Sequence, residues 1–143
     1  MKTNKSNIIF GIVFVILAGV LSYLFIFSTP SKGEIPSYVT GDTRMVYEWA
    51  KTPDGVAVLE DIPCYCGCTY EGHKHARHCF WKDDGTFDKH GITCSVCLDI
   101  AKTSKQMHED GSGICEIRDV VDSFYAPNKH LMTPTPMPAG CSS

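Results

Sequence analysis

Pro63-Cys64-Tyr65-Cys66-Gly67-Cys68 is the stretch from which the rest of this chain can be read. Three cysteines recur at every second position. In an extended backbone, side chains two residues apart point to one face. Three sulfurs would then line one side at a spacing of roughly 6–7 Å. Gly67 can take a positive φ and draw Cys66 and Cys68 together. Cysteines one residue apart are poorly placed to bond to each other, because a disulfide needs particular Cα and Cβ separations. They are well placed to share metal ions. Pro63 has a fixed φ and no amide proton, so it ends whatever precedes it.

More ligand-type residues follow at once: His73, His75, His78 and Cys79, then His90, Cys94 and Cys97. Thiolate with imidazole is the ligand set of Cu(I), Zn and iron–sulfur sites. The chain has 143 residues and eight cysteines, a density that implies disulfides or metal. Disulfide frameworks spread their cysteines along the chain, whereas C-x-C-x-C and C-x-x-C are clusters, which favours metal. The formal net charge is −3 and no basic stripe appears, so no nucleic-acid partner is expected.

Residues 8–27 form an uncharged, mostly apolar run, long enough to span a bilayer core as a helix. Lys2 and Lys5 precede it, which favours a cytoplasmic N-terminus. No convincing cleavage site follows, so a retained anchor is preferred to a cleaved signal peptide. Leu17-Ala18-Gly19 resembles the approach to a lipidated cysteine, but Val20 stands where that cysteine would be. The expectation is a single-pass cell-membrane protein with its domain outside. The segments expected are an anchor over 1–28, a linker over 29–41, a Cys/His-rich helical domain over 42–126 and a Pro-rich tail over 127–143.

Within the domain, Asp42 or Thr43 is expected to cap a helix over 44–51, with Met45, Val46, Trp49 and Ala50 inward. Thr52-Pro53-Asp54 reads as a second start, with cap, proline at the first helical position and acid in the first turn. Val56, Leu59 and Ile62 would face inward. Residues 79–87, with Asp83-Asp84-Gly85 between aromatics, suggest a short hairpin, and the aromatics would shield the thiols. Thr93 is expected to cap a helix over 94–108, closed by Gly111. Cys94 and Cys97 would sit in its first turn, where the helix N-terminus lowers thiol pKa values. A last helix over 114–125 would bury Ile114, Ile117, Val121 and Phe124 and leave Arg118, Asp119 and Asp122 in solvent. The fold class is mainly α: a transmembrane helix, then a small helical extracytoplasmic domain with a Cys/His-rich loop and a short hairpin.

Cys64, Cys66, Cys68, Cys79, Cys94 and Cys97 are the expected metal ligands, joined by His73 and His90 as ligands or supporting groups. One tetrahedral Zn needs only four ligands. Bridging thiolates around two to four Cu(I) ions would use all six sulfurs, since Cu(I) favours soft sulfur. Copper is therefore the expected ion, with zinc or iron–sulfur as alternatives. His75 and His78 read as solvated, and His130, Met132 and Met137 as tail residues. Cys115 reads as a small buried residue, and Cys141 as exposed with no evident partner.

The hexapeptide at 63–68, with Gly72-His73, Cys79-Phe80 and His90-Gly91-x-x-Cys94-x-x-Cys97, resembles the PCYCGC-motif family of small exported prokaryotic proteins, over about residues 49–125. The resemblance implies an exported domain with these cysteines at its core. The anchor departs from it, because family members are often lipid-anchored. Three roles are weighed. One is a membrane-tethered Cu(I) protein for storage, delivery or detoxification, with a metal-donating or metal-accepting protein as partner. The second is a binding domain stabilised by Zn or disulfides. The third is a thiol oxidoreductase using Cys94 and Cys97, which lacks the expected βαβ context; an electron-transfer centre also stays open. No nucleophile elbow, phosphate loop or HExxH helix appears, so hydrolytic or acid–base catalysis is not indicated.

Overall fold

The computed structural model describes residues 5–28 and 32–142, and in the first stretch it describes side chains for residues 10–22. The chain divides into two compact units, Met1–Ser31 and Lys32–Ser143. It is mainly helical, with 60% helix and no strands among the described residues. The described residues of the first unit form one helix, α1 (Lys5–Ser28). Its described side chains at 10–22 are uniformly exposed and almost all apolar. Those residues alone span about 20 Å at 1.5 Å per residue, short of a hydrocarbon core of about 30 Å. Among the described residues no helix is long and apolar enough to cross a membrane. The two ends of the expected span, at 8–9 and 23–27, lie outside the described side chains.

The second unit contains α2 (Gly41–Trp49), α3 (Pro53–Asp61), a single turn α4 (His90–Thr93), α5 (Ser95–Glu109) and α6 (Ile114–Phe124). Short 3₁₀ segments at Cys68–Glu71, Ala76–Cys79 and Ala126–Leu131 complete it. α2 starts at Gly41, earlier than the polar cap signals implied, with Thr40 in the extended cap position. Its buried face is Val46, Tyr47, Trp49 and Ala50, while Met45 is 46% exposed. Tyr47 rotates that face inward. Its ring meets Phe80 and Trp81 edge-on and stacks on Phe87, and its hydroxyl donates to the Asp88 carbonyl at 2.6 Å.

α3 begins as the sequence implies. The Thr52 hydroxyl accepts from Gly55 N–H at 3.1 Å and donates to the Trp49 carbonyl at 2.7 Å. A Cβ on Gly55 would lie 2.0 Å from the Trp49 carbonyl oxygen, so only glycine lets α3 turn this closely off α2. Val58 and Leu59 are buried here, with Val56 only partly so. The expected hairpin is reduced to one antiparallel bridge, Trp81 to Phe87. Gly85 closes its turn, and pairing stops after Asp88 N–H reaches the Phe80 carbonyl.

α5 is the central helix, packed against α2, α3 and α6. Cys94, rather than Thr93, is its N-cap residue. Gly111, at φ 91°, ends it, with Ser112 N–H returning to the Met107 carbonyl at 2.9 Å. On α6, Ile117 and Val121 are buried, but Phe124 is 76% exposed. Arg118 reverses expectation. It is buried, chelates Asp122 at 2.8 Å, and donates to the carbonyls of Asp61 and Pro136.

Residues 127–142 are not a loose appendage. Thr133, Thr135 and Pro138 are buried. Thr133 N–H donates to the Cys64 carbonyl, and Cys64 N–H donates to the Thr133 hydroxyl, both at 2.8 Å. The Thr135 hydroxyl donates to the Lys74 carbonyl at 2.7 Å. Cys115 and Cys141 form a disulfide that pins this segment to α6, which corrects both expectations for those cysteines.

Candidate metal centre

The six remaining cysteines are free thiols that gather around the first turn of α5. Each is delivered by a specific local feature. Thr133 fixes the backbone of Cys64 on both sides. Gly67 takes φ 81° and turns the chain into the Cys68–Glu71 segment, which stops at Gly72, φ 83°. The Ala76–Cys79 turn brings in Cys79. The Asp88 carboxylate accepts from His90 N–H at 2.8 Å and starts α4. A Cβ on Gly91 would lie 2.4 Å from the Phe80 ring, so α4 presses its backbone directly on that aromatic. Cys94 and Cys97 then fall at the positive end of α5.

The sulfurs converge more tightly than a parallel ladder would. Cys64 Sγ lies 3.1 Å from Cys97 Sγ and 3.3 Å from Cys66 Sγ, and Cys97 to Cys66 is 3.5 Å. A tetrahedral site with metal–sulfur bonds of about 2.3 Å has sulfur–sulfur edges of about 3.8 Å. The sulfurs need to move by only a few tenths of an ångström to reach it.

Three overlapping sets of ligand atoms lie within 4.8 Å of one another: Cys64, Cys66, Cys79 and Cys97; Cys66, Cys94, Cys97 and His90; and Cys66, Cys68, Cys79 and His90. Cys66 belongs to all three. All six expected cysteines and His90 are thus brought together, and the cluster can hold a metal ion.

His73 sits one step behind. Its Nδ1 is 3.7 Å from Cys79 Sγ, and its Nε2 is 3.5 Å from an Asp88 carboxylate oxygen. His90 is built alike: Nε2 faces Cys66 Sγ at 3.3 Å and Nδ1 faces Glu71 at 3.0 Å. A ring with one nitrogen toward the ligand cluster and the other on a carboxylate is the usual arrangement of a metal-binding histidine. Glu71 and Asp88 were not singled out from the sequence. Their proximity to His73 and His90, two residues away in each case, was the available signal.

Charge is unevenly distributed over the thiols. Contacts first with Cys64, then with its other neighbours, hold Cys66 well below the thiol range. Contact with Cys64 pulls Cys68 down to about 3. Cys64, Cys79 and Cys97 are pushed up, chiefly because they are the partners that keep protons. Cys94 is pushed up by burial. Cys94 and Cys97 were expected as ready thiolates at the helix end; instead burial pushes Cys94 up and the neighbouring sulfurs push Cys97 up. Burial opposes charge on His90, but Cys66 and Glu71 outweigh it and raise its pKa. A soft cation bound here displaces the remaining protons.

His78 is buried rather than solvated, with Nε2 2.6 Å from Asp83. With His75 and Asp83 it forms a separate ligand group. Its Nδ1 accepts from Lys74 N–H at 3.2 Å, so its proton sits on Nε2 and serves Asp83. A metal at Nε2 would require an imidazolate, which makes this group a weaker candidate than the thiols.

The fold and the cluster together define a small helical domain with a Cys/His-rich centre. The chain belongs to the family described as proteins of unknown function with a PCYCGC motif, which matches residues 26–138. No curated protein and no solved structure matches it.

Proposed function

We propose that the chain is a membrane-tethered, extracytoplasmic protein that binds Cu(I) in a polynuclear thiolate centre, for storage, delivery or detoxification. The observation that carries this reading is the sharing of Cys66 among three overlapping ligand sets. A sulfur with several potential metal neighbours suits a bridging thiolate, and Cu(I) favours such sulfur-rich, low-coordinate sites. The 24-residue helix α1, almost all apolar where its side chains are described, supports tethering. The Cys115–Cys141 disulfide supports an oxidising compartment outside the cytoplasm.

A single Zn at Cys64, Cys66, Cys79 and Cys97 is the second reading, favoured by the closeness of those four sulfurs. It leaves Cys68, Cys94 and His90 without a role.

The test is Cu(I) titration of anaerobically purified full-length chain against a competing chelator. More than one Cu(I) per chain, with thiolate-to-copper absorption, is the expected result. One Zn and no copper retained under competition overturns the copper reading.

A further inference from the structure

The cluster is closed on one side and open on the other. Cys64, Cys68, Cys79 and Cys97 have no exposed surface. Cys66, Cys94 and His90 are half-buried. A cleft of about 550 Å³, lined by Tyr38, Glu71, Asp88, Lys89, His90 and Thr93, opens at His90, whose Nε2 lies 3.3 Å from Cys66 Sγ.

Resting on the copper reading above, we infer that Cys66, Cys94 and His90 form a port through which Cu(I) enters and leaves the buried thiols. The overlap of the ligand sets supplies the path. The outer set (Cys66, Cys94, Cys97, His90) and the inner set (Cys64, Cys66, Cys79, Cys97) share Cys66 and Cys97. An ion held by the two shared sulfurs exchanges Cys94 for Cys64 and His90 for Cys79. Each copper–ligand bond that breaks, to Cys94 sulfur or His90 nitrogen, is matched by one that forms to a buried sulfur, and the proton displaced from each buried thiol passes to the freed thiolate or imidazole. Copper remains Cu(I), so no oxidant or reductant is needed. The ligand atoms of each set lie within 4.8 Å, so the ion moves only a few ångströms and is never uncoordinated. Leaving the protein is the same exchange in reverse, with an external soft ligand replacing Cys94 or His90 at the cleft. Glu71, on His90 Nδ1, holds the ring toward Cys66 and positions the port.

The experiment is stopped-flow transfer of Cu(I) from the loaded, detergent-solubilised full-length chain to excess bicinchoninate, a colorimetric Cu(I) chelator. Wild type is expected to transfer in two phases. Cys94→Ser is expected to lose the fast phase, with the initial rate at least tenfold lower, and His90→Gln to act in the same direction. Cys79→Ser is expected to lower the copper held back at equilibrium, a different signature. Single-phase transfer from wild type, or a wild-type initial rate in both Cys94→Ser and His90→Gln, overturns the port while leaving the copper reading standing. A chain that takes up no Cu(I) overturns both.

Discussion

Removing the Cys115–Cys141 disulfide should cost a large share of the stability of a domain of this size without unfolding it. The crosslink joins residues 26 apart. In the chain-entropy treatment, closing a loop of that length removes about 12 cal/mol/K from the unfolded ensemble, or about 3.5 kcal/mol at 25 °C. The unit at Lys32–Ser143 should unfold with an entropy of about 0.23 kcal/mol/K near 60 °C. The paired variant Cys115→Ala/Cys141→Ala should therefore melt about 15 °C lower.

The terminal segment should nonetheless stay docked in that variant. Its two hydrogen bonds to Cys64, and those of Thr135 and Pro136, do not involve the disulfide. Metal stoichiometry well below the melting temperature should be unchanged. Truncation after Leu131 should behave differently, because it strands the buried N–H and C=O of Cys64 at about 1–3 kcal/mol each and frees the first cysteine of the cluster. Differential scanning calorimetry and thiol counting on protein from its native compartment are the assays. A melting shift below 3 °C refutes the loop-entropy reasoning, and eight reactive thiols in the native protein refute the crosslink itself.

Three further perturbations follow from buried contacts. His75 is held near a pKa of about 4, first by burial and then by the charge of His78, below its ordinary value of 6.5. Its neutral ring therefore contributes stability that is complete above pH 6.5 and lost as pH falls toward 4. After discounting for solvent screening the loss is about 1–2 kcal/mol, and urea melts of His75→Gln should be flatter over that window than wild type. Arg118→Ala removes the cation from Asp122 and a donor from two carbonyls. It should cost about 3 kcal/mol, and a loss below 1 kcal/mol by urea denaturation contradicts the buried geometry. Gly91→Ala would drive a methyl into the Phe80 ring. That should cost about 1–3 kcal/mol and, on the proposed copper reading, weaken Cu(I) retention, because α4 carries His90 and leads into Cys94; unaltered retention argues against that coupling.

What the sequence could disclose was local. Thr52-Pro53-Asp54 marks the start of α3 because cap, proline and acid all act within one turn. The cysteine spacing marks the thiols that gather at the start of α5. The inward turn of α2 was not legible, because Tyr47 is recruited by Phe80, Trp81 and Phe87, more than thirty residues away. Arg118 looked like a surface charge because its carbonyl partners, at Asp61 and Pro136, come from distant segments. The terminal segment read as a tail because prolines and threonines carry no helical period. Its order comes from pairing with Cys64, 69 residues earlier.

The two fates of sulfur in this fold bear on the function. Cys115 and Cys141 are each other's partner and make a crosslink. The other six have no exclusive neighbours: Cys64 lies close to both Cys66 and Cys97, and those two are close to each other. A centre built for crosslinks would separate its cysteines into pairs, since one sulfur bonds only one other and the geometry is exacting. A centre built for bridging ligands needs the opposite, several sulfurs equidistant from a common volume. In an oxidising compartment such close thiols persist only if their electron pairs are engaged, and a soft cation shared among them does that while leaving every sulfur unpaired. Histidines backed by carboxylates at Glu71 and Asp88 add nothing to a crosslinked core, but they fit the rim of a metal centre.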